Sequence, residues 1–142
     1  MAGDTATAVS ARGRELKTKG DQAFRDQDFQ DAVALYSQAL ELADAETAKT
    51  VLSNRSAALA ASGNFKAALD DAKKCEELDP TWPKALFRRG VALRGLKRFD
   101  MAISAFAQGQ EQDPSNPNWY QEIEETEQAR EACRGKRSLA SS

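Results

Sequence analysis

A threefold internal repeat is the feature of this sequence that most limits what it can fold into. Phe29, Phe65 and Phe99 are separated by 36 and 34 residues, and an alanine lies three residues after each of them. Each copy also ends alike, with Glu-Leu-Ala-Asp, Glu-Leu-Asp-Pro or Glu-Gln-Asp-Pro. Because several independent positions keep one phase through all three copies, we interpret the chain as an array of three structural repeats.

Within each copy, apolar and small residues recur at helical spacing. In the first copy, Leu16, Gly20 and Phe24 form one stripe, and a second stripe runs from Phe29 to Leu40. A pair of helices is therefore predicted for each copy. The two helices of each pair are separated by short polar turns, which lie at 26–28, 63–64 and 97–98.

Small residues and prolines define how these helices would pack and end. Gly20, Ser56 and Gly90 occupy equivalent places in the first helix of each pair, where a larger side chain would hold two crossing helices apart. Pro80 and Pro114 are predicted to end the second helix of their repeats. The first repeat has no such proline, and its connection to the second is two residues longer.

A seventh helix is predicted to cover the open end of the third repeat. Trp119 and Ile123 would pack on that repeat, and the glutamates of the helix would face water. The residues at both ends of the chain are mostly small or polar, so we expect these ends to be disordered. The predicted units are a disordered segment 1–11, a repeat domain 12–134 with repeats at about 13–46, 49–82 and 83–116, a capping helix at about 117–134, and a disordered tail 135–142.

Composition excludes several classes of function. Alanine accounts for 26 of the 142 residues, which favours closely packed helices over sheets. The net charge of -2 does not favour nucleic acid as a partner, and no apolar run is long enough to span a membrane. There is no histidine, and Cys75 and Cys133 lack metal-ligand spacing, so we expect no metal, no cofactor and two reduced thiols. Nothing marks secretion, and we expect a cytoplasmic monomer.

The repeat pattern resembles the tetratricopeptide repeat (TPR), a helix-turn-helix unit of 34 residues. The resemblance covers about residues 13–116. It implies an all-α, right-handed superhelical solenoid of three repeats plus the C-terminal capping helix. Its concave groove would be lined mainly by the first helix of each pair.

Three segments also resemble the co-chaperone class of TPR domains. They are Leu-Lys-Thr-Lys-Gly at 16–20, Ser-Asn-Arg-Ser-Ala-Ala at 53–58 and Trp-Pro-Lys-Ala-Leu-Phe-Arg-Arg at 82–89. In that class they build a carboxylate clamp for the C-terminal Glu-Glu-Val-Asp of 70- or 90-kilodalton heat-shock chaperones. The resemblance assigns this role to Lys17, Asn54, Lys84 and Arg88, with Phe24 and Ala57 beside them, although the spacing also makes Phe24, like Leu86, a core position.

The fifth clamp position departs from the family, because Asp21 stands where the class has asparagine. Asparagine can donate a hydrogen bond to a ligand carboxylate, whereas an ionised aspartate can only accept one. Lys17 lies one turn earlier on the same face, and its charge could neutralise Asp21 at the cost of its availability to a ligand. Two outcomes follow, a weakened clamp that still binds chaperone tails or a site for another ligand.

The alternative function is that of a TPR scaffold in a larger assembly, binding an internal helical or extended segment. An enzyme is not expected. The sequence has no histidine, no phosphate-binding glycine loop and no base close to Ser53 or Ser56 that could activate a nucleophile. We therefore predict a protein-binding module with no catalytic residues.

Overall fold

The computed structural model of the chain describes residues 2–141, with side chains for 5–137. This part of the chain contains helices and no strand, as predicted, and none of its helices is long and apolar enough to cross a membrane. The seven helices are α1 (Ala2–Arg25), α2 (Phe29–Leu42), α3 (Ala45–Ala61), α4 (Phe65–Leu78), α5 (Pro83–Gly95), α6 (Phe99–Gln112) and α7 (Asn118–Ser141).

The helices pack in consecutive pairs, α1 with α2, α3 with α4 and α5 with α6. Each second helix also packs on the first helix of the next pair, and α6 packs on α7. The first helices contact one another, α1 with α3 and α3 with α5. The predicted all-α solenoid of three helix pairs and a seventh helix is therefore confirmed, and its first helices lie side by side along one surface.

The small residues in the first helices allow the predicted close crossings. A Cβ atom added at Gly20 would lie 2.6 Å from Cε1 of Tyr36, and one added at Gly90 would overlap the ring of Phe106. Ser56 is also buried, and its hydroxyl donates to the carbonyl of Ala68 at 2.8 Å. At Gly20 and Gly90 a large side chain from the second helix fills the space that the glycine leaves, whereas Ser56 contacts the backbone of α4.

A buried ion pair joins the middle pair of helices. Arg55 on α3 donates two hydrogen bonds to Asp71 on α4, at 2.7 and 2.8 Å, and a third to Ser37 on α2. Asp71 is 3% exposed, so its charge needs this paired partner. Both cysteines are free thiols, and burial raises the pKa of Cys75 to about 11.

The longer connection after the first repeat forms extra helix instead of a loop. Helix α2 ends at Leu42, and α3 begins at Ala45. The carboxylate of Asp44 accepts a hydrogen bond from the backbone N–H of Thr47 at 2.8 Å, which caps the new helix. Without a proline here the chain can re-enter a helix at once, so α3 has 17 residues where α5 has 13.

Both chain ends differ from the expected disorder. Helix α1 begins at Ala2, so most of the segment 1–11 is helical, and α7 continues through the tail to Ser141. Neither segment contains proline, the first is rich in alanine, and each continues a helix that is already nucleated by packing. Residues 1 and 142 lie outside the described residues.

Helix α7 covers the end of the third repeat, as predicted. Trp119 is 3% exposed, and its ring centroid lies 5.9 Å from that of Phe87 and 6.4 Å from that of Phe106. Ile123 packs on the same cluster. Glu122 does not face water as expected, because its carboxylate accepts a 2.6 Å hydrogen bond from Arg94 on α5.

Candidate functional site

The surface shared by the first helices contains a pocket of about 360 Å³. Side chains from α1, α2, α3 and α5 line it, namely Asp21, Phe24, Arg25, Tyr36, Asn54, Ala57 and Arg88. Five of the seven predicted site residues are therefore brought together here. The other two, Lys17 and Lys84, do not line the pocket itself. Lys17 nevertheless contacts Asp21, and Lys84 interacts electrostatically with Arg88.

Asp21 is the centre of the hydrogen-bond network in this pocket. Its Oδ1 accepts from the hydroxyl of Tyr36 at 2.6 Å and from Nδ2 of Asn54 at 3.1 Å. Its Oδ2 accepts from Nζ of Lys17 at 2.9 Å. The predicted pairing of Lys17 with Asp21 is confirmed, and three donors from three helices converge on one carboxylate.

Tyr36 holds Asp21 from beneath the pocket. The tyrosine is 1% exposed, and its pKa is raised by burial and also by its hydrogen bond to Asp21. The phenol therefore stays protonated and donates to the carboxylate. A buried donor at 2.6 Å keeps the Asp21 side chain in place, unlike that of an unanchored surface aspartate.

Arg88 is a half-buried cation without a carboxylate partner among the described residues. Its Nε donates to the hydroxyl of the fully buried Ser53 at 3.2 Å. Its pKa is lowered chiefly by desolvation, which opposes a buried charge. Guanidinium stays ionised in proteins, so Arg88 presents an uncompensated positive charge to the pocket.

Lys84 adds a second unpaired cation near Arg88. Pro83 begins α5, and Lys84 and Arg88 lie four residues apart on one face of that helix. The pKa of Lys84 is lowered by partial desolvation and then by the positive charges of Arg88 and Lys17, with the charge of Asp21 acting in the opposite direction. Since its positive neighbours disfavour its own charge, a bound anion would favour it.

An apolar cavity of about 280 Å³ continues the pocket along the groove. It shares Phe24, Ala57 and Arg88 with the first pocket, and its other lining is mostly apolar. Phe24 is half-buried and packs edge-on against Phe29 at 5.3 Å between ring centroids, so it serves both core and groove. Leu86, by contrast, is 1% exposed and belongs to the core.

Sequence reasoning did not assign Tyr36, Arg25 or Ser53 to the site. Tyr36 lay in a helical apolar stripe and was interpreted as core, although a buried phenol needs a hydrogen-bond partner. Arg25 is one turn after Asp21, a spacing that places both on one face. Ser53 belongs to the 53–58 segment that resembles the co-chaperone class, but nothing in the sequence indicates its contact with Arg88.

The arrangement is suited to binding an anion rather than to catalysis. The Ser53 hydroxyl accepts from a cation, and the Ser56 hydroxyl donates to a backbone carbonyl, so neither contacts a base. Within the described residues, no group of three or more Cys, Asp or Glu side chains is placed to hold a metal ion. Arg88 lines the pocket as an unpaired cation, Lys84 lies near it on the same helix face, and the surface beside them is apolar.

Comparison with protein families identifies the repeats. A family model described as "Serine/threonine-protein kinase BSK1-like, TPR repeats" matches residues 6–90, and one described as "Tetratricopeptide repeat" matches residues 83–116. The chain belongs to the tetratricopeptide repeat family. Together the two matches extend from within α1 to the end of the third predicted TPR unit.

Relatives of this TPR chain are longer proteins. It is 39% identical over 115 residues to the "Heat shock protein sti1 homolog" of Schizosaccharomyces pombe, covering 81% of this chain and 19% of that protein. It is 46% identical over 102 residues to mouse "Tetratricopeptide repeat protein 28", covering 72% of this chain and 4% of that protein. The chain therefore spans a small part of the length of these relatives.

A solved structure of a TPR domain from yeast Sti1 has the same fold. It is the "TPR2B-domain:pHsp70-complex of yeast Sti1", which superposes with a TM-score of 0.76 at 26% identity. The match covers 84% of this chain and 98% of that one. The solved structures similar to this chain thus include a TPR domain of Sti1 determined as a pHsp70 complex.

Proposed function

We propose that this TPR domain is a co-chaperone module that binds the C-terminal Glu-Glu-Val-Asp tail of 70- or 90-kilodalton heat-shock chaperones. The observation that carries the proposal is the pair of cations, Lys84 and Arg88, which lack carboxylate partners in the described part of the chain. Both have lowered pKa values, with desolvation as the first cause. A carboxylate ligand would compensate both charges through charge-assisted hydrogen bonds.

The shape of the groove supports a peptide rather than a small anion. The cationic pocket continues into an apolar cavity through Phe24 and Ala57, so a valine next to an acidic terminus would have an apolar contact. A flexible tail must be ordered on binding, and we expect affinity on the order of micromolar. We further propose that the module acts as a monomer in the cytoplasm and has no enzymatic activity.

The test is titration of a fluorescent Met-Glu-Glu-Val-Asp peptide beside the same peptide with a C-terminal amide. The proposed clamp binds the charged C-terminal carboxylate of the peptide, which the amide lacks. We therefore expect the amide to bind at least about tenfold more weakly, a difference of roughly 1.4 kcal/mol. A scrambled acidic peptide of the same charge is the control for nonspecific attraction. Equal binding of acid and amide would contradict the proposal.

The alternative is a TPR scaffold that binds an internal segment of its partner. One observation favours it, because Asp21 already holds Lys17 and Asn54, two of the four residues assigned to a ligand. Such a site would not depend on a free carboxyl terminus. Equal affinities for acid and amide peptides, both well above that of the scrambled control, would support this alternative.

A further inference from the structure

We infer that Asp21 is an intramolecular competitor of the ligand, whose carboxylate occupies donors that would otherwise hold the terminal carboxylate of the peptide. The inference rests on the proposed function and concerns the specificity of the same site. Asp21 would thereby set how strongly this TPR domain distinguishes a free carboxyl terminus from other acidic groups.

The hydrogen bonds of Asp21 carry the argument. A carboxylate offers about four lone-pair positions, and three of those on Asp21 are filled by Lys17, Tyr36 and Asn54. Two of these donors, Lys17 and Asn54, are predicted ligand contacts. For either to reach a peptide carboxylate fully, its bond to Asp21 must weaken or be shared.

Tyr36 prevents Asp21 from simply turning away when a ligand arrives. Its hydroxyl is buried and lies 2.6 Å from Oδ1, so rotating the carboxylate outward would leave a buried donor without a partner. The competing carboxylate is therefore a fixed part of the pocket. Lys84 and Arg88 remain outside this network and keep their charges available.

Asparagine at this position would reverse the competition. Its amide oxygen can still accept from Tyr36 and Asn54, whereas its NH₂ group cannot accept from Lys17. Lys17 would then be released toward the ligand, and the new NH₂ group would add a donor. Both effects act on a carboxylate bound close to α1, so they should depend on whether the peptide has a free terminus.

The experiment compares Asp21→Asn with the wild type, using the acid and amide forms of the Met-Glu-Glu-Val-Asp peptide. We expect the acid peptide to bind about three- to thirtyfold more tightly to the variant. We expect the affinity for the amide to change by no more than about twofold, a free-energy change of roughly 0.4 kcal/mol. The ratio of acid to amide affinity should therefore increase in the variant.

The matched control is Asp28→Asn, which removes the same charge. Asp28 is exposed before α2, makes no side-chain capping bond and does not line the pocket. We expect neither peptide to change by more than about twofold. If Asp21→Asn fails to fold, the double variant Asp21→Ala/Tyr36→Phe serves instead, because it removes the competitor together with the buried hydroxyl that Asp21 satisfies and adds no donor. A smaller acid-selective gain is then expected.

The outcomes separate this inference from the proposed function. If Asp21→Asn binds the acid and the amide peptide more tightly by the same factor, Asp21 repels acidic peptides in general, and the inference that it competes for donors is overturned. Unchanged or weaker binding of the acid by folded variants, with wild-type binding intact, would overturn the inference alone. If no protein binds either peptide, the proposed function is wrong and the inference is overturned with it.

Discussion

The charged side chains of the groove fall into two groups that differ in how their charges are compensated. Lys17 pairs with Asp21 at 2.9 Å, and both side chains are about a quarter exposed, so solvent screens the pair and its contribution to stability is small. Lys84 and Arg88 have no such partner in the described residues. Because Arg88 is partly buried and its charge has no partner, it is the position where a ligand anion gains most, and the exposed Lys84 adds a second positive charge beside it.

Arg88→Ala should weaken binding of the chaperone-tail peptide at least about tenfold, or roughly 1.4 kcal/mol. The substitution removes an unpaired, partly desolvated cation, which offsets the lost hydrogen bond to the Ser53 hydroxyl, so the thermal unfolding midpoint should change little. Titration and thermal denaturation check the two expectations together. The neighbouring Arg89→Ala is the matched control, since Arg89 pairs with Glu76 at 2.8 Å and does not line the pocket.

Two results would contradict the assignment of Arg88. If Arg88→Ala unfolds the domain, the residue is structural. If Arg89→Ala weakens binding as much as Arg88→Ala does, the effect reflects general loss of positive charge instead of contact in the groove.

Lys84 should make peptide binding sensitive to alkaline pH. The ligand favours the charged amine, and the lowered pKa means that this charge is lost at a lower pH than in an ordinary lysine. Affinity should therefore fall as pH rises through that lowered pKa. Titrations between pH 7 and 10, with an N-acetylated peptide, check this.

Lys84→Arg provides the control for this pH effect, because guanidinium stays charged throughout the range. The variant should keep its affinity at alkaline pH, and Lys84→Met should be weak at every pH. An identical alkaline loss in wild type and Lys84→Arg would assign the titration to another group.

Among the helices, α7 differs from the others because it caps the array instead of opening a fourth pair. Its first turns bury Trp119 against Phe87 and Phe106, and Glu122 pairs with Arg94. The buried Thr126 continues the same contact face. The later turns have mostly exposed side chains, so the stabilising part of the helix is its N-terminal half.

Truncation after Asn116 should lower the thermal unfolding midpoint or the solubility of the domain. It removes the tryptophan that covers Phe106 and so exposes apolar surface of the third repeat. Thermal denaturation followed by circular dichroism measures the effect. Truncation after Arg134 is the control, and we expect it to melt close to the full chain; equal melting of all three proteins would show that the cap contributes nothing.

Over the whole molecule, the sign of the net charge is opposite to that of the groove. The chain has 20 basic and 22 acidic residues. At the candidate site, however, Lys84, Arg88 and Arg25 lie around Asp21, whose negative charge is balanced by Lys17. Attraction for an acidic tail is therefore local to the groove. A local field of exposed and half-exposed cations is screened by salt over about 10 Å at 0.1 M.

Raising sodium chloride from about 0.05 to 0.5 M should weaken binding of the acid peptide severalfold. The buried Arg55–Asp71 pair and the apolar core are much less screened, so the unfolding midpoint should stay nearly constant. Fluorescence titration and thermal denaturation in the same buffers test both parts. Salt-independent binding would argue that apolar contacts, and not the cations, dominate recognition.

The sequence by itself determined the repeat architecture and the helix face on which each residue lies. A fixed spacing of aromatic and small residues needs no knowledge of the fold, since Gly20 and Gly90 can be identified as crossing points from periodicity alone. The same periodicity places Asp21 and Asn54 on first helices. Periodicity provides a helix face for each residue, and the resemblance to the co-chaperone class of TPR domains selected which of these residues were assigned to the site.

Apart from the Lys17–Asp21 pair, which lies within one turn of α1, the tertiary structure decided which side chains pair. Asp21 takes donors 15 and 33 residues away in the chain, Tyr36 and Asn54, and Glu122 turns from solvent to an arginine 28 residues earlier. Whether a hydrogen bond forms depends on differences of a few tenths of an ångström in the donor–acceptor distance, and these differences are set by how separate helices pack. Helical periodicity fixes the direction of a side chain and leaves these distances undetermined. The hydrogen bonds that Asp21 accepts from Tyr36 and Asn54 therefore follow only from the three-dimensional structure.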